Sequence, residues 1–451
     1  MRVLVIMLSV MSLGLGSATA LAQPVSESLT LEEAVALAVE ADPWLAGSKH
    51  TQQALNDEAT AAASLPDPRV SLMAGNFPVD SFDINQEAMT QLSVGVTQMF
   101  PRGDSLALAK RQKQQLAGQH PLLRIDRRAK VEATASQLWL EAYRAQESIR
   151  LIERNRGLFE QLVESAEAHY SSGLGQVRQQ DVIRAQLELT RLDDRLTTLK
   201  QQKEAAQRRL SEWIGAAARV PLAPILPTPS LAKPLTIPTI EAADEHARYQ
   251  LIRHHPALMA LEQRIDATQT GVDLAEQKYK PEWGLTAQYG SRARDPMGRE
   301  RSDLFSIGVT FDLPIFTGNR QDREVSAAVN RAEAIKTERH LLRRQLMAEL
   351  ETASVQLTRL DERLALYTEQ LLPQMADQAE ASLAAYGNDS GDFAEAVRAR
   401  IAELNAKVEA LVIAVERQKI MAQINYLLAE PSSDDAGQSN RFRKVNNEYI
   451  N

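Results

Sequence analysis

The sequence predicts a mainly α-helical chain with a transmembrane β part, laid out as a tandem repeat. Three observations lead there. Fragments of the first half recur in the second at a nearly constant offset. Two long stretches, Asp104–Trp213 and Gln321–Glu430, hold one proline each (Pro121 and Pro373) and an apolar rhythm of 3.5 residues. Short segments that alternate apolar with small or polar residues stand between the helical parts, in a chain that begins like an exported one.

Composition narrows the function. The 451 residues are 44% apolar and 24% charged, with 51 basic against 59 acidic residues and a net charge of −8. A basic nucleic-acid footprint is therefore not expected. Aromatics make up only 5%, which suits long helices rich in Ala, Leu, Gln, Glu and Arg. The absence of cysteine excludes disulfides, thiolate zinc sites, Cys nucleophiles and N-terminal lipidation on Cys. There are seven histidines and no His-Glu-x-x-His motif, no Gly-x-Gly-x-x-Gly and no Walker loop. No nucleophile–base or metal-ligand constellation survives, so neither an enzyme nor a bound cofactor or metal is expected.

Residues 1–22 read as a secretory signal peptide. Arg2 is followed by an apolar run from Val3 to Leu15, and Ala20-Leu21-Ala22 fits a small-residue cleavage site that leaves Gln23 as the new N-terminus. The alternative is a membrane anchor, but the run is shorter than the ~20 residues of a spanning helix. No later stretch approaches that length. The mature chain, at −9 after loss of Arg2 (50 − 59), is then soluble in a periplasm or inserted elsewhere as a β-barrel.

The repeat shows in paired fragments. Asp42-Pro43-Trp44-Leu45 matches His255-Pro256-Ala257-Leu258 at an offset of 213 (256 − 43). Ser93-Val94-Gly95-Val96-Thr97 matches Ser306-Ile307-Gly308-Val309-Thr310 at the same offset (306 − 93), as does Pro101 with Pro314. Arg184-Ala185 matches Arg398-Ala399 at 214 (398 − 184). Repeats of 23–220 and 239–430 follow. Between them, residues 221–238 form a proline-rich extended linker. A polar tail, 431–451, closes the chain.

Within repeat one, Thr30 and Glu33 have capping-box spacing for a helix from Leu31, with a break near Pro43 and an end before Pro66. The matching helices are expected around 240–254 and 257–280. The long helices carry Val131, Ala135, Leu138, Ala142, Ala145, Ile149 and Ile152, then Ala185, Leu189, Leu192, Leu196 and Leu199. In repeat two the same stepping holds for Val397, Ile401, Leu404, Val408, Leu411 and Val415. Such spacing predicts supercoiled helices, with a plain bundle as the alternative. An unbroken run from Leu122 to Tyr170 would span about 70 Å, a rod or tube wall. Glycine-rich turns at Gly173–Gly175 and Gly387–Gly391 predict left-handed helix stops, hence two hairpin tips at one end.

Strands are expected near 69–77, 92–100, 282–290 and 304–313. Leu285, Ile307 and Val309 share an apolar face, and Thr286, Gly308 and Thr310 lie on the other. Segments of about nine residues fit tilted transmembrane strands. A small soluble sheet with one buried face is the alternative. Four strands do not close a barrel alone, so closure needs several chains.

An exported chain with a twofold repeat, strand pairs between very long heptad helices, and glycine tips resembles the TolC family of outer-membrane efflux channels. Leu29-Thr30-Leu31-Glu32-Glu33-Ala34 with Asp42-Pro43 looks like that family's first helix. Tyr170-Ser171-Ser172-Gly173-Leu174 with Gln180-Asp181-Val182-Ile183-Arg184-Ala185 looks like its tip signature. Phe311-Asp312-Leu313-Pro314-Ile315-Phe316-Thr317-Gly318-Asn319-Arg320 is close to the usual strand exit, whereas Phe100-Pro101-Arg102-Gly103-Asp104 is two residues shorter. The second tip, Asn388–Asp392, departs from the usual pattern. The resemblance implies a homotrimer whose four strands per chain complete a 12-stranded barrel in outer-membrane lipid, above a periplasmic helical tunnel. It further implies a passive exit duct, docked through a periplasmic adaptor (membrane fusion) protein on an inner-membrane pump of the resistance-nodulation-division type. The alternative is a periplasmic coiled-coil adaptor or scaffold without a barrel; adaptors carry one central hairpin, and the duplicated strand pairs argue against it.

Within the family, Leu65-Pro66-Asp67-Pro68, Asn76-Phe77-Pro78 and Phe100-Pro101-Arg102-Gly103 look like members that accompany heavy-metal pumps. Met73, Met89 and Met99 near the strands have thioethers that suit Cu(I) and equally serve as adaptable packing. His254-His255 reads as a solvated pair. The resemblance implies docking at the tips, through Gly173, Leu174 and Gly387. It also implies a constriction with acidic rings on the helix after the second tip. Aligning the Arg-Ala pairs puts Glu395 opposite Asp181 (395 − 181 = 214), with Asp392 and Asp389 nearer the tip; these four acids are the gate candidates. The alternative is that they solvate a tip or pair with Arg398 or Arg178.

Overall fold

The computed structural model describes residues 28–172, 178–228, 231, 244–388 and 392–431. The expected signal peptide, half of the linker and nearly all of the tail lie outside the described residues. The described residues form helices and one small sheet, joined by turns and loops. Helices α1 (Leu31–Ala41) and α2 (Pro43–Ala62) lead into strands β1 (Arg69–Gly75) and β2 (Gln91–Phe100), then α3 (Ser105–Ser172) and α4 (Gln179–Ile214). The second copy repeats the order with α5 (Glu245–Ile252), α6 (Pro256–Glu276), β3 (Trp283–Ser291), β4 (Leu304–Phe311), α7 (Gln321–Leu366), α8 (Leu372–Gly387) and α9 (Phe393–Leu427).

Local chemistry sets the helix ends. Thr30 and Glu33 form the reciprocal capping box, with Glu33 N–H donating to Thr30 Oγ1 at 3.2 Å and Thr30 N–H to Glu33 Oε2 at 2.9 Å. Asp42 then caps α2 in front of Pro43, where a missing N–H costs nothing. Helix α3 runs 68 residues, about 100 Å. It passes straight through Pro121, where the sequence suggested a fresh start at Leu122. The proline removes one helical hydrogen bond, but Ala117 and Leu122 on either side of it are both buried, and α2 and α6 pack along this half. In repeat two the corresponding proline does leave a mark: Tyr367–Leu371 forms a π-turn between α7 and α8, two residues ahead of Pro373.

The heptad positions are the core. Val131, Ala135, Ala142, Ala145 and Ile152 of α3 are buried, as are Ala185, Leu192 and Leu196 of α4 and Val397, Leu404, Val408 and Val415 of α9. Helix α3 lies between α4 and α9, and α9 in turn packs on α7 and α8. The hairpin cluster holds Ile152, Phe159, Ala166, Leu192, Phe393 and Val397. Two further clusters sit midway along the rod, one around Trp139, Leu210 and Leu222, the other around Ile252, Leu350 and Ile424. The start of the described chain is tied there, because Leu29 O accepts from the Trp139 indole at 3.1 Å and Leu29 N–H donates to Pro221 O at 2.8 Å.

The sheet has the order β1-β2-β3-β4, antiparallel throughout. Its registers put Val70, Val96, Ala287 and Ile307 on one rung, and Leu72, Val94, Tyr289 and Phe305 on another. Rungs of the opposite face hold Ser71, Gly95, Gln288 and Ser306, then Arg69, Thr97, Thr286 and Gly308.

Candidate functional site

The features that bear on function are the two sheet faces, the strand–helix joint, the hairpin tips and the mid-rod caps. The apolar sheet face is bare. Leu72, Val94, Leu285, Ile307 and Val309 are exposed, and so are the aromatic rungs at its two ends. Phe100, Trp283 and Phe311 form the rung nearest the helices, with the Trp283 and Phe311 rings 4.9 Å apart. Tyr289 and Phe305 pair six residues further along β3, about 20 Å away. An apolar band between aromatic girdles is the pattern of a strand face that meets lipid. A contiguous bare patch rimmed by polar residues marks a contact surface for protein or membrane. No described helix is long and apolar enough to cross a membrane.

A missed residue, Arg102, holds the joint between strands and helices. Its guanidinium donates to Lys280 O at 3.0 Å and Lys278 O at 3.3 Å and pairs with Asp312. Asp312 in turn accepts from Glu282 N–H at 2.7 Å. The preceding proline and following glycine gave the signal: Gly103 has φ +47, and a side chain there would run into Lys280. At the far end, Arg301 donates to Glu87 O at 2.9 Å and Arg292 to Ala88 O at 3.4 Å, so the β3–β4 loop clamps the β1–β2 loop.

The three methionines are not brought together. Met73 and Met99 share the polar face, but Met73 stands on the rung of Ser93, six residues from Met99, and Met89 lies in the loop. Among the described residues no group of three His, Asp or Glu side chains is placed to hold a metal ion.

At the tips, Gly173, Leu174 and Asp389 fall outside the described residues. Gly387 ends α8 and is exposed, but it does not adopt the expected left-handed conformation. Asn388, at φ −100, terminates the helix instead. The turn is closed by Tyr386 and Phe393, whose rings meet edge-on at 5.2 Å. Asp392 caps α9 by accepting from Ala394 N–H at 3.2 Å, and Glu395 stands exposed in its first turn. Asp181 holds the same place on α4 but is buried, and its Oδ2 accepts from Arg178 N–H at 3.0 Å. The structure thus brings Asp392 and Glu395 together, while the Asp181 carboxylate is spent on its own helix end.

His255 corrects the reading of a solvated pair: it is 1% exposed. Its Nδ1 accepts from Ala257 N–H at 3.3 Å and its Nε2 lies 3.2 Å from Tyr426 O. Only the neutral ring with its proton on Nε2 satisfies both contacts. Burial holds its pKa below the usual histidine range, against the pull of Asp126.

Comparison with known proteins agrees with this geometry. Residues 247–429 match the outer membrane efflux protein family. No curated protein matches the chain. Among solved structures, the fold is similar to CusC, at 14% identity over 89% of this chain and 92% of that one, with a TM-score of 0.73. The Campylobacter jejuni CmeC outer membrane channel is similar at 14% identity over 91% and 88%, TM-score 0.72. VceC of Vibrio cholerae is similar at 16% over 89% and 96%, TM-score 0.71. The second repeat thus matches the outer membrane efflux protein family in sequence, and nearly the whole length is similar in fold to outer membrane channels.

Proposed function

We propose that three copies close their sheets into a 12-stranded outer-membrane barrel above a periplasmic helical tunnel, forming the passive exit duct of a tripartite efflux system. The observation that carries this is a four-stranded sheet with one bare apolar face and both edges, β1 and β4, unpaired. Open edges need partners, and in lipid only a closed barrel satisfies every strand. Substrate arrives from an inner-membrane pump through a periplasmic adaptor that docks at the Gly173, Leu174 and Gly387 tips. Asp392 and Glu395 provide the acidic gate. Asp389, next to them in sequence, belongs to the same proposal; Asp181 contributes as a helix cap. Heavy-metal cations are the cargo suggested by Leu65-Pro66-Asp67-Pro68 and its companion motifs. The test is direct: the protein should fractionate with outer membranes, need detergent for extraction, and run as a trimer that heat converts to monomer. A detergent-independent soluble monomer would favour the scaffold alternative.

A further inference from the structure

We propose that Arg69 gives the barrel a collar of positive charge that biases its lumen toward anions. The proposal rests on the three-copy barrel reading above. Strand registers assign the polar face residue by residue: Arg69, Ser71, Met73 and Gly75 on β1, and on β2 Gln91 through Met99 at every second position. On β3 and β4 the face continues with Gly284, Thr286, Gln288, Gly290, Leu304, Ser306, Gly308 and Thr310. Among these described ladder positions Arg69 is the one charged residue. It is exposed, and its rung is otherwise small: Thr97 and Thr286, bonded to each other through their hydroxyls at 2.9 Å, and Gly308. A long cationic side chain therefore stands above a low floor with no carboxylate on the ladder to meet it.

Nearby acids lie off the ladder. Asp67 comes two residues before β1, and Asp312, just past β4, is already held by Arg102 and the Glu282 backbone. Closure by threefold symmetry places three Arg69 guanidinium groups around one axis. With strands ~4.8 Å apart and tilted ~40°, twelve of them give a backbone radius of about 12 Å. The Debye length at 0.1 M salt is about 10 Å. The field of three arginines reaching inward from that wall therefore covers the lumen at physiological salt and below. Anions are favoured there and cations opposed, by the charged-ring logic of other pores. A free cation cargo meets this barrier in both directions, on its way out and in any return from outside.

The test is reversal-potential measurement on purified trimers in planar bilayers under a KCl gradient. Near 0.05 M salt the K⁺/Cl⁻ permeability ratio should rise about twofold in Arg69→Gln and further in Arg69→Glu. Arg69→Lys should match the parent, and the differences should shrink at 1 M KCl, where the Debye length is about 3 Å. A conducting trimer whose ratio is indifferent to both Arg69→Gln and Arg69→Glu overturns the collar and leaves the duct standing. A parent chain that forms no conducting trimer overturns the barrel and the collar together. Should Arg69→Glu fail to assemble, Arg69→Gln against Arg69→Lys still decides.

Discussion

Asp42 and His255 occupy one position in the two repeats, 213 residues apart (255 − 42), and both are buried caps set directly before a proline. Asp42 accepts from Trp44 N–H at 3.1 Å and pairs with Arg127 at 2.7 Å. Arg127 lies 5.4 Å from the Trp213 ring. At the matching place in repeat two, Tyr426 (426 − 213 = 213) accepts the His255 ring edge-on at 5.2 Å, with Lys130 5.7 Å from its ring. One plan has been kept with a carboxylate in one copy and an imidazole ring in the other.

That difference makes repeat two sensitive to acid. Protonated His255 loses the lone pair that caps Ala257 and carries charge into a buried site. Asp126, Lys130 and Glu349 face it from α3 and α7, and Tyr426 from α9. Its pKa is lower folded than unfolded, so between the two values the unfolded chain binds more protons. Its contribution to stability is then complete above about pH 6.5 and falls as pH drops through the window below. The slope is at most about 1.4 kcal/mol per pH unit, the limit for one proton. Thermal melts in detergent between pH 7 and 5 should show this component, and His255→Asn, which caps without titrating, should flatten it.

The sheet faces should respond unequally to charge. Val309→Arg places a guanidinium on the bare apolar face at a cost of roughly 2–4 kcal/mol near mid-membrane. Thr310→Arg points to the polar face. Heat-modifiable trimer recovered from membranes should fall sharply in the first variant and little in the second; equal loss would argue against insertion.

Tip variants should separate docking from folding. Nothing lies within 4 Å of a Cβ added at Gly387, and a β-branched residue at a helix end costs under ~1 kcal/mol. Gly387→Val should assemble normally yet lose efflux in cells that carry the pump, as should Gly173→Val. Undiminished resistance would remove these glycines from the adaptor contact.

The acids at the start of α9 should set cation passage. Asp392→Asn keeps a capping side chain, so combining it with Glu395→Gln removes charge without loosening the helix. In bilayers the double variant should lose cation selectivity and should be blocked less by millimolar divalent ions than the parent is. Unchanged selectivity and block would place the constriction elsewhere.

Much of this architecture was legible because it is periodic. Heptads of α3, α4 and α9, the alternation in β3 and β4 and the Thr30–Glu33 box depend on residues close in sequence. What escaped depends on contacts far apart. His255 is buried by Tyr426, 171 residues away. Pro121 stays helical because α2 and α6 support α3. Asp181, a gate candidate by its alignment with Glu395, turns back on its own helix end at Arg178. Arg102 gathers carbonyls from a segment more than 170 residues downstream; Pro101 and Gly103 beside it mark a turn without revealing those partners.

The two unpaired edges of the sheet also make assembly a question of timing. Copies added side by side, β4 to β1, leave a dimer with as many open edges as a lone chain. Only the third arrival removes them, so partly built species gain nothing at their rims and remain adhesive to any strand they meet. Yield should then rise steeply with the local density of newly made chains, and dilution should trap the protein in an incomplete and aggregation-prone form.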